Sequence, residues 1–195
     1  MKHFFLFLLL VLPFLGISQT IDVKFDGNIT NFDLSKKEAG VTISILQGGS
    51  TVVSAVTATN GKYSLKGKID TNTPFDVVFS KSGMVSKRIN FNLKGINLED
   101  SPAGDLKPVE ALDIELFAER PGIDFSFLNT QPIGKFTWNS GGYAQLDQAA
   151  MRLMTDKIAK LLKDAEIKNQ QNELAYQQSV QAADKAYAAK DYVLA

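Results

Sequence analysis

The stretch Val41-Thr42-Ile43-Ser44-Ile45-Leu46-Gln47-Gly48-Gly49-Ser50-Thr51-Val52-Val53-Ser54-Ala55-Val56 decides how this chain is read. Val41, Ile43 and Ile45 alternate with Thr42 and Ser44, giving one strand an apolar and a polar face. Gln47 to Ser50 is a glycine-bearing hairpin connection, and a second β-rich run follows it. Working outward, Val23-Lys24-Phe25 alternates in the same way and leads into Gly27-Asn28-Ile29-Thr30. On the other side, Asn60-Gly61 is a turn signal, since both residues tolerate positive φ. Lys62-Tyr63-Ser64-Leu65 alternates after it, Phe75 to Ser80 follows Pro74, and Lys81-Ser82-Gly83 turns into Val85 to Leu93. A polar stretch from Asn97 to Pro108 precedes a last strand over Ala111 to Phe117. About seven short strands with regular turns, and no helical pattern between them, predict an antiparallel β-sandwich over 20–118. Val41, Ile43, Ile45, Tyr63, Val77 and Phe79 are expected in its core, with Gly61 in a turn.

The rest of the chain reads differently, so the fold class is α+β by segments: a seven-strand sandwich followed by a C-terminal helical segment. Residues 119–143 are broken by Pro121-Gly122, Pro132, Gly134 and Gly141-Gly142 and read as an irregular connector. Its apolar anchors include Trp138, the chain's single tryptophan. Trp138 is read either as a plug folded inward or as a stacking platform for sugar or peptide. After Gly142 neither glycine nor proline occurs, and 144–195 is assigned as helical. Met151, Met154, Ile158, Leu161, Leu162 and Ala165 recur at helical spacing. The polar tract Glu166 to Glu173 interrupts that stripe before Leu174, Tyr176, Val180, Ala183 and Tyr187 resume it. Two readings stand: one long bent helix, or two helices joined through Asn169 to Asn172.

The N-terminus points to export. Lys2 and His3 precede the apolar run Phe4 to Leu12, and Pro13 interrupts it. Gly16 and Ser18 are small residues suited to signal-peptidase cleavage, so residues 1–18 read as a signal peptide cut between Ser18 and Gln19. The run is too short and too interrupted for a membrane anchor, and no other stretch is apolar enough to span a bilayer. The chain of 195 residues contains no cysteine, and His3 is its only histidine. Cleavage therefore leaves a protein without thiol or imidazole, which removes a Ser-His-Asp triad, a cysteine nucleophile and the usual zinc ligand sets. No basic cluster marks a nucleic-acid footprint in a chain of zero formal net charge. Glu99-Asp100 with Asp105, and Asp70 with Asp76, lack the spacing of an EF-hand and read as solvated loops. No cofactor, metal site or catalytic residue is expected.

Four blocks carry a family resemblance. Gly27-Asn28-Ile29, Ala39-Gly40-Val41-Thr42-Ile43, Thr59-Asn60-Gly61-Lys62-Tyr63-Ser64-Leu65 and Phe79-Ser80-Lys81-Ser82-Gly83 together resemble the carboxypeptidase regulatory-like domain. The resemblance implies a transthyretin-like (prealbumin-like) β-sandwich that accompanies other modules and is not itself an enzyme. Asn60 stands where that family usually has Asp, Glu38-Ala39 replaces a frequent proline, and Met84 replaces an aromatic. The tail from Ala183 to Ala195 resembles the first half of a tetratricopeptide repeat, with Ala183, Ala186, Tyr187 and Tyr192 as the packing and partner-contact face. About half of the ~34-residue repeat is present. An Ala-rich amphipathic helix is the plainer alternative.

The functional expectation is a non-catalytic exported protein of the cell envelope, in the periplasm, at the outer membrane or outside the cell. The sandwich acts as spacer or docking module, and the helical tail meets a protein partner. The alternative is a carbohydrate- or peptide-binding module using the sandwich loops or Trp138. Neither nucleic acid nor a stable membrane span after cleavage is expected.

Overall fold

A 12-residue strand, Thr20–Asn31 (β1), organises the first of two sheets because its side chains alternate between buried and partly exposed. The computed structural model describes residues 19–97 and 105–190; the proposed signal peptide, Glu99-Asp100 and Tyr192 lie outside them. β1 pairs antiparallel along Thr20 to Asn28 with Lys62–Asp70 (β5). At its C-terminal end it meets the short strand Lys36–Lys37 (β2) and, in parallel, Ile114–Leu116 (β8). The second sheet is built on the hairpin of Thr42–Gln47 (β3) and Ser50–Val56 (β4), closed by the two-residue turn Gly48-Gly49. Phe75–Ser80 (β6) and Lys87–Asn92 (β7) extend it, followed by Gly134–Trp138 (β9) and Ala144–Leu146 (β10), in the order β10-β9-β7-β6-β3-β4.

The β-sandwich followed by a helical segment is thus the architecture of the protein. Its strands number ten among the described residues rather than seven, and the set is not purely antiparallel: β1–β8 and β7–β9 pair in parallel. Of the strand that the sequence predicts over Ala111 to Phe117, only Ile114–Leu116 in its C-terminal half finds a partner ladder. Between 119 and 143, part of the stretch read as irregular is regular, with a 3-10 turn at Ser126–Asn129 and β9 at Gly134–Trp138. Gly134 needs no side chain there to belong to the strand, since the parallel edge of β7 supplies the backbone partners.

The core lies between the sheets. Val41, Ile43, Ile45, Val77 and Phe79 are fully buried and Tyr63 nearly so, as their alternation predicts. Tyr63 directs its hydroxyl to the Leu112 carbonyl oxygen at 2.8 Å, which satisfies its polar end inside the core. Burial, with Asp113 and Asp26 nearby, pushes the phenol well above its ordinary pKa. Gly61 adopts φ +73°, and a Cβ there would lie 2.6 Å from the Ile29 carbonyl oxygen. Side chains are excluded both by conformation and by space. Phe91 is the aromatic centre, stacked on Phe75 and Phe136 and tilted against Phe25.

A single continuous helix, Gln148–Lys190 (α1), completes the chain. Asp147 caps it by accepting the Ala150 amide at 2.9 Å. At 1.5 Å per residue its 43 residues make a rod about 64 Å long. The Asn169 to Asn172 region does not divide it; each of those residues costs only a few tenths of a kcal/mol in a helix, and no Gly or Pro is present to break it.

Candidate functional site

Two regions meet where α1 leaves the sandwich. The first is a small second core. Val85 and Phe117 from the sandwich, Phe125 and Leu128 from the connector and Ile158 from α1 are buried together. Met154, Leu161 and Leu162 pack against them, and the Lys157 ammonium lies 3.7 Å from the centre of the Phe127 ring. The apolar connector residues are therefore mostly spent in joining helix to sandwich. The second region begins where that contact stops. Every described side chain from Glu166 to Ala189 is exposed, about 36 Å of helix, of which the first turns still border the sandwich through Glu166, Asn169 and Gln170.

The exposed face is not random. A helix returns to the same face after about 18 residues, five turns of 3.6. Tyr176 therefore lies in line with Ile158, Val180 with Leu162 and Ala183 with Ala165, while Tyr187 lies ten turns from Met151. Ile158, packed with Val85 and Phe117, and Ala165 are buried, whereas Tyr176 and Tyr187 are 65% and 70% exposed. The apolar stripe that docks the first half of α1 thus runs on into solvent. Ala183, Ala186 and Tyr187 are brought together on the exposed helix. Tyr192, assigned to the same face, lies outside the described residues.

Trp138 ends β9 and is half-buried, packed partly against the main core. It also borders a depression of about 480 Å³ with Ile96, Leu106, Asn139 and the exposed Tyr143. The structure thus gives Trp138 both a share of the core and a share of a surface that holds a second aromatic. Asp76, weighed as a calcium ligand with Asp70, is engaged by Arg88 at 3.0 Å and Asn90 at 2.8 Å. Asp70 accepts from the Asn72 amide and the Thr73 hydroxyl instead.

A third feature was not visible in the sequence. α1 and the sandwich leave a cleft of about 790 Å³ between them, open beside the exposed ring of Phe32. Lys87 at the start of β7 lines it, reaching across to the β8 backbone with Nζ 2.6 Å from the Glu115 carbonyl oxygen and 4.9 Å from the centre of the Phe117 ring. Loss of water around the ammonium pushes its pKa down to about 8, against the opposing effect of the Glu115 carboxylate. Arg120 and Asp33, also on the cleft, form an ion pair, and Asp33 accepts the Ala118 amide as well. Nothing in the spacing of Lys87, Arg120 and Ile158 announces that they share a cavity; a lysine preceding an alternating strand was the only trace.

No family model and no curated protein matches this chain. Among solved structures, it is similar to 3-chlorocatechol 1,2-dioxygenase from Rhodococcus opacus 1CP, at 11% identity and a TM-score of 0.35, covering 53% of this chain and 62% of that one. It is also similar to a C-terminal fragment of pilus adhesin SpaC from Lactobacillus rhamnosus GG, at 11% identity and a TM-score of 0.26, covering 52% of this chain and 44% of the fragment. The chain spans less than two thirds of either protein, and at these values neither likeness carries an activity or a partner across.

Proposed function

We propose that this is an exported, non-catalytic adaptor of the cell envelope, in which the sandwich spaces and anchors α1 and the free half of α1 docks a protein partner. The observation that carries the reading is the continuation of one apolar face, from Ile158, packed with Val85 and Phe117, and buried Ala165 to Tyr176, Val180, Ala183 and Tyr187 in solvent. In proteins most helical stability comes from tertiary packing of an apolar face, and the outer part of α1 has little of it. A partner helix would supply that packing. The N-terminal pattern supports export, and the lack of cysteine and of any histidine beyond His3 supports a binding role over hydrolytic chemistry.

Within this proposal the sandwich is a carboxypeptidase regulatory-like domain. Its four resembling blocks fall at β1, at the entry to β3, at the turn into β5 and at the end of β6. The end of α1 is the opening helix of a tetratricopeptide-like repeat. The rival function, a carbohydrate- or peptide-binding module, has one specific support: Trp138 and Tyr143 border the same depression. The deciding experiment places a photo-crosslinking residue at Tyr176, Val180 or Tyr187 in the producing cell. A discrete protein adduct in the envelope fraction, lost when Ala183→Asp is added, is expected. No adduct from any of the three positions, together with quenching of Trp138 emission by soluble glycans, would overturn the adaptor reading in favour of the rival.

A further inference from the structure

We propose that the cleft between α1 and the sandwich binds an amphipathic carboxylate, its head against Lys87 and its hydrocarbon tail along Ile133, Met151, Ile158 and Leu162. The inference stands apart from the adaptor reading, which concerns the free half of α1. Its first support is the uneven neutralisation of the cleft's cations. Arg120 is matched by Asp33. Lys87, drawn half out of water between two sheets, has no carboxylate in ion-pair contact among the described residues and is held instead by a neutral carbonyl and a ring face. A cation taken from water without a counter-charge is destabilised, and an incoming anion relieves that. The low pKa of Lys87 is the same deficit seen as proton affinity.

The second support is the chemistry of the walls. Ligand cavities of roughly 300–1,000 Å³ are typically apolar with a few placed polar groups, and this cleft has both the volume and that division. Lys163 also lines the cleft but stands exposed to solvent on α1, so the ammonium drawn from water is that of Lys87, which suits a singly charged head. A phosphate carries up to two charges, and the one arginine on the cleft that could add bidentate bonds, Arg120, is already engaged by Asp33. The Glu115 carboxylate on the near side and Glu166 on α1 disfavour a second negative charge on the ligand. The apolar walls, in turn, favour a carboxylate with a hydrocarbon tail over a free inorganic anion.

The test is titration calorimetry of the whole chain with decanoate and with decanol, both below their aggregation limits. Decanoate is expected to bind at least about tenfold more tightly than decanol, the equivalent of one modest charge-assisted contact. Lys87→Met, which keeps the apolar stem, should bring decanoate down to the decanol level, while Lys87→Arg should retain binding within a few-fold. Equal affinity for decanoate and decanol in the native chain would overturn the proposal, whatever the variants do. So would absence of binding, or a folded Lys87→Met chain that binds decanoate unchanged. A concentration-dependent dimer that Met151→Asp dissociates, with no decanoate bound, would assign the cleft to a second copy instead and equally overturn it.

Discussion

Phe91→Ala tests the packing of the sandwich where it is densest. Phe91 is fully buried in β7, between β6 and β9, with ring centres 4.9 Å from Phe25, 5.4 Å from Phe75 and 4.9 Å from Phe136. Truncation removes the ring and leaves a cavity, which typically costs about 3–5 kcal/mol. Three aromatic neighbours lose their partner at once, so the upper end, about 5 kcal/mol, is expected. Against a domain stability of about 5–15 kcal/mol, that brings the fold close to its limit. At about 2–4 °C per kcal/mol for a chain of this size, the melting temperature should fall by about 10–20 °C. Trp138 is the only tryptophan and packs on the same core, so urea titration followed by its emission reads the sandwich directly. Phe91→Leu, which keeps much of the volume, should cost about 1–2 kcal/mol. A loss below about 2 kcal/mol for Phe91→Ala with an unchanged denaturant slope would refute the argument, because no cavity at a site so enclosed should relax away.

Two further outcomes follow from other parts of the molecule. The Glu38 carboxylate is held below its ordinary pKa by the Lys81 ammonium and the Asn31 amide, the latter at 2.7 Å. Its contribution is therefore fully present above the unfolded-state value near 4.5 and is lost as pH falls through the lower folded value. Glu38→Gln should cost about 1–2 kcal/mol at neutral pH, discounted because Lys81 is a third exposed, and should flatten the fall in urea midpoint between neutral and acid pH. An identical acid slope in both proteins would remove Glu38 from the account. In hydrogen exchange, amides from Gln171 to Ala189 should exchange orders of magnitude faster than those from Met154 to Ala165, because only the latter are held by packing. Equal protection along α1 would mean that the outer half of the helix is already covered.

Strict alternation made most of the sandwich legible. Val41, Ile43 and Ile45 could face only one side of a strand, and the Gly-Gly turn after Gln47 set the hairpin that follows. The strands that escaped notice are those whose stability is borrowed. β2 is two residues long, and β9 carries Lys135 and Thr137 beside Gly134, so its membership depends on the parallel edge of β7. Parallel pairing leaves no local signal, because the partners lie far apart in sequence. The helix was legible from its period, and the absence of a break at Asn169 to Asn172 reflects how little intrinsic propensity weighs once no Gly or Pro intervenes. The cleft was illegible for a different reason: its residues come from the turn after β1, from β7, β8, the connector and α1, and only tertiary packing brings them together.

The position of β1 has a kinetic consequence. The strand nearest the N-terminus bonds to one of the last parts of the sandwich to be made: the Asn28 amide donates to Asp113, 85 residues away. Until residues 114–116 emerge, the far end of β1 lacks its parallel neighbour, and Ile21, Val23, Phe25 and Ile29 have no finished core to enter. That last closure spans far more chain than the β1–β5 ladder, and contacts of high sequence separation slow folding. Residues 20–28 find their antiparallel partner once Lys62–Asp70 is made, so only the end of β1, Ile29 to Asn31, waits for β8. The sandwich is thus closed in two stages, an early β1–β5 ladder and a late parallel latch at residues 114–116.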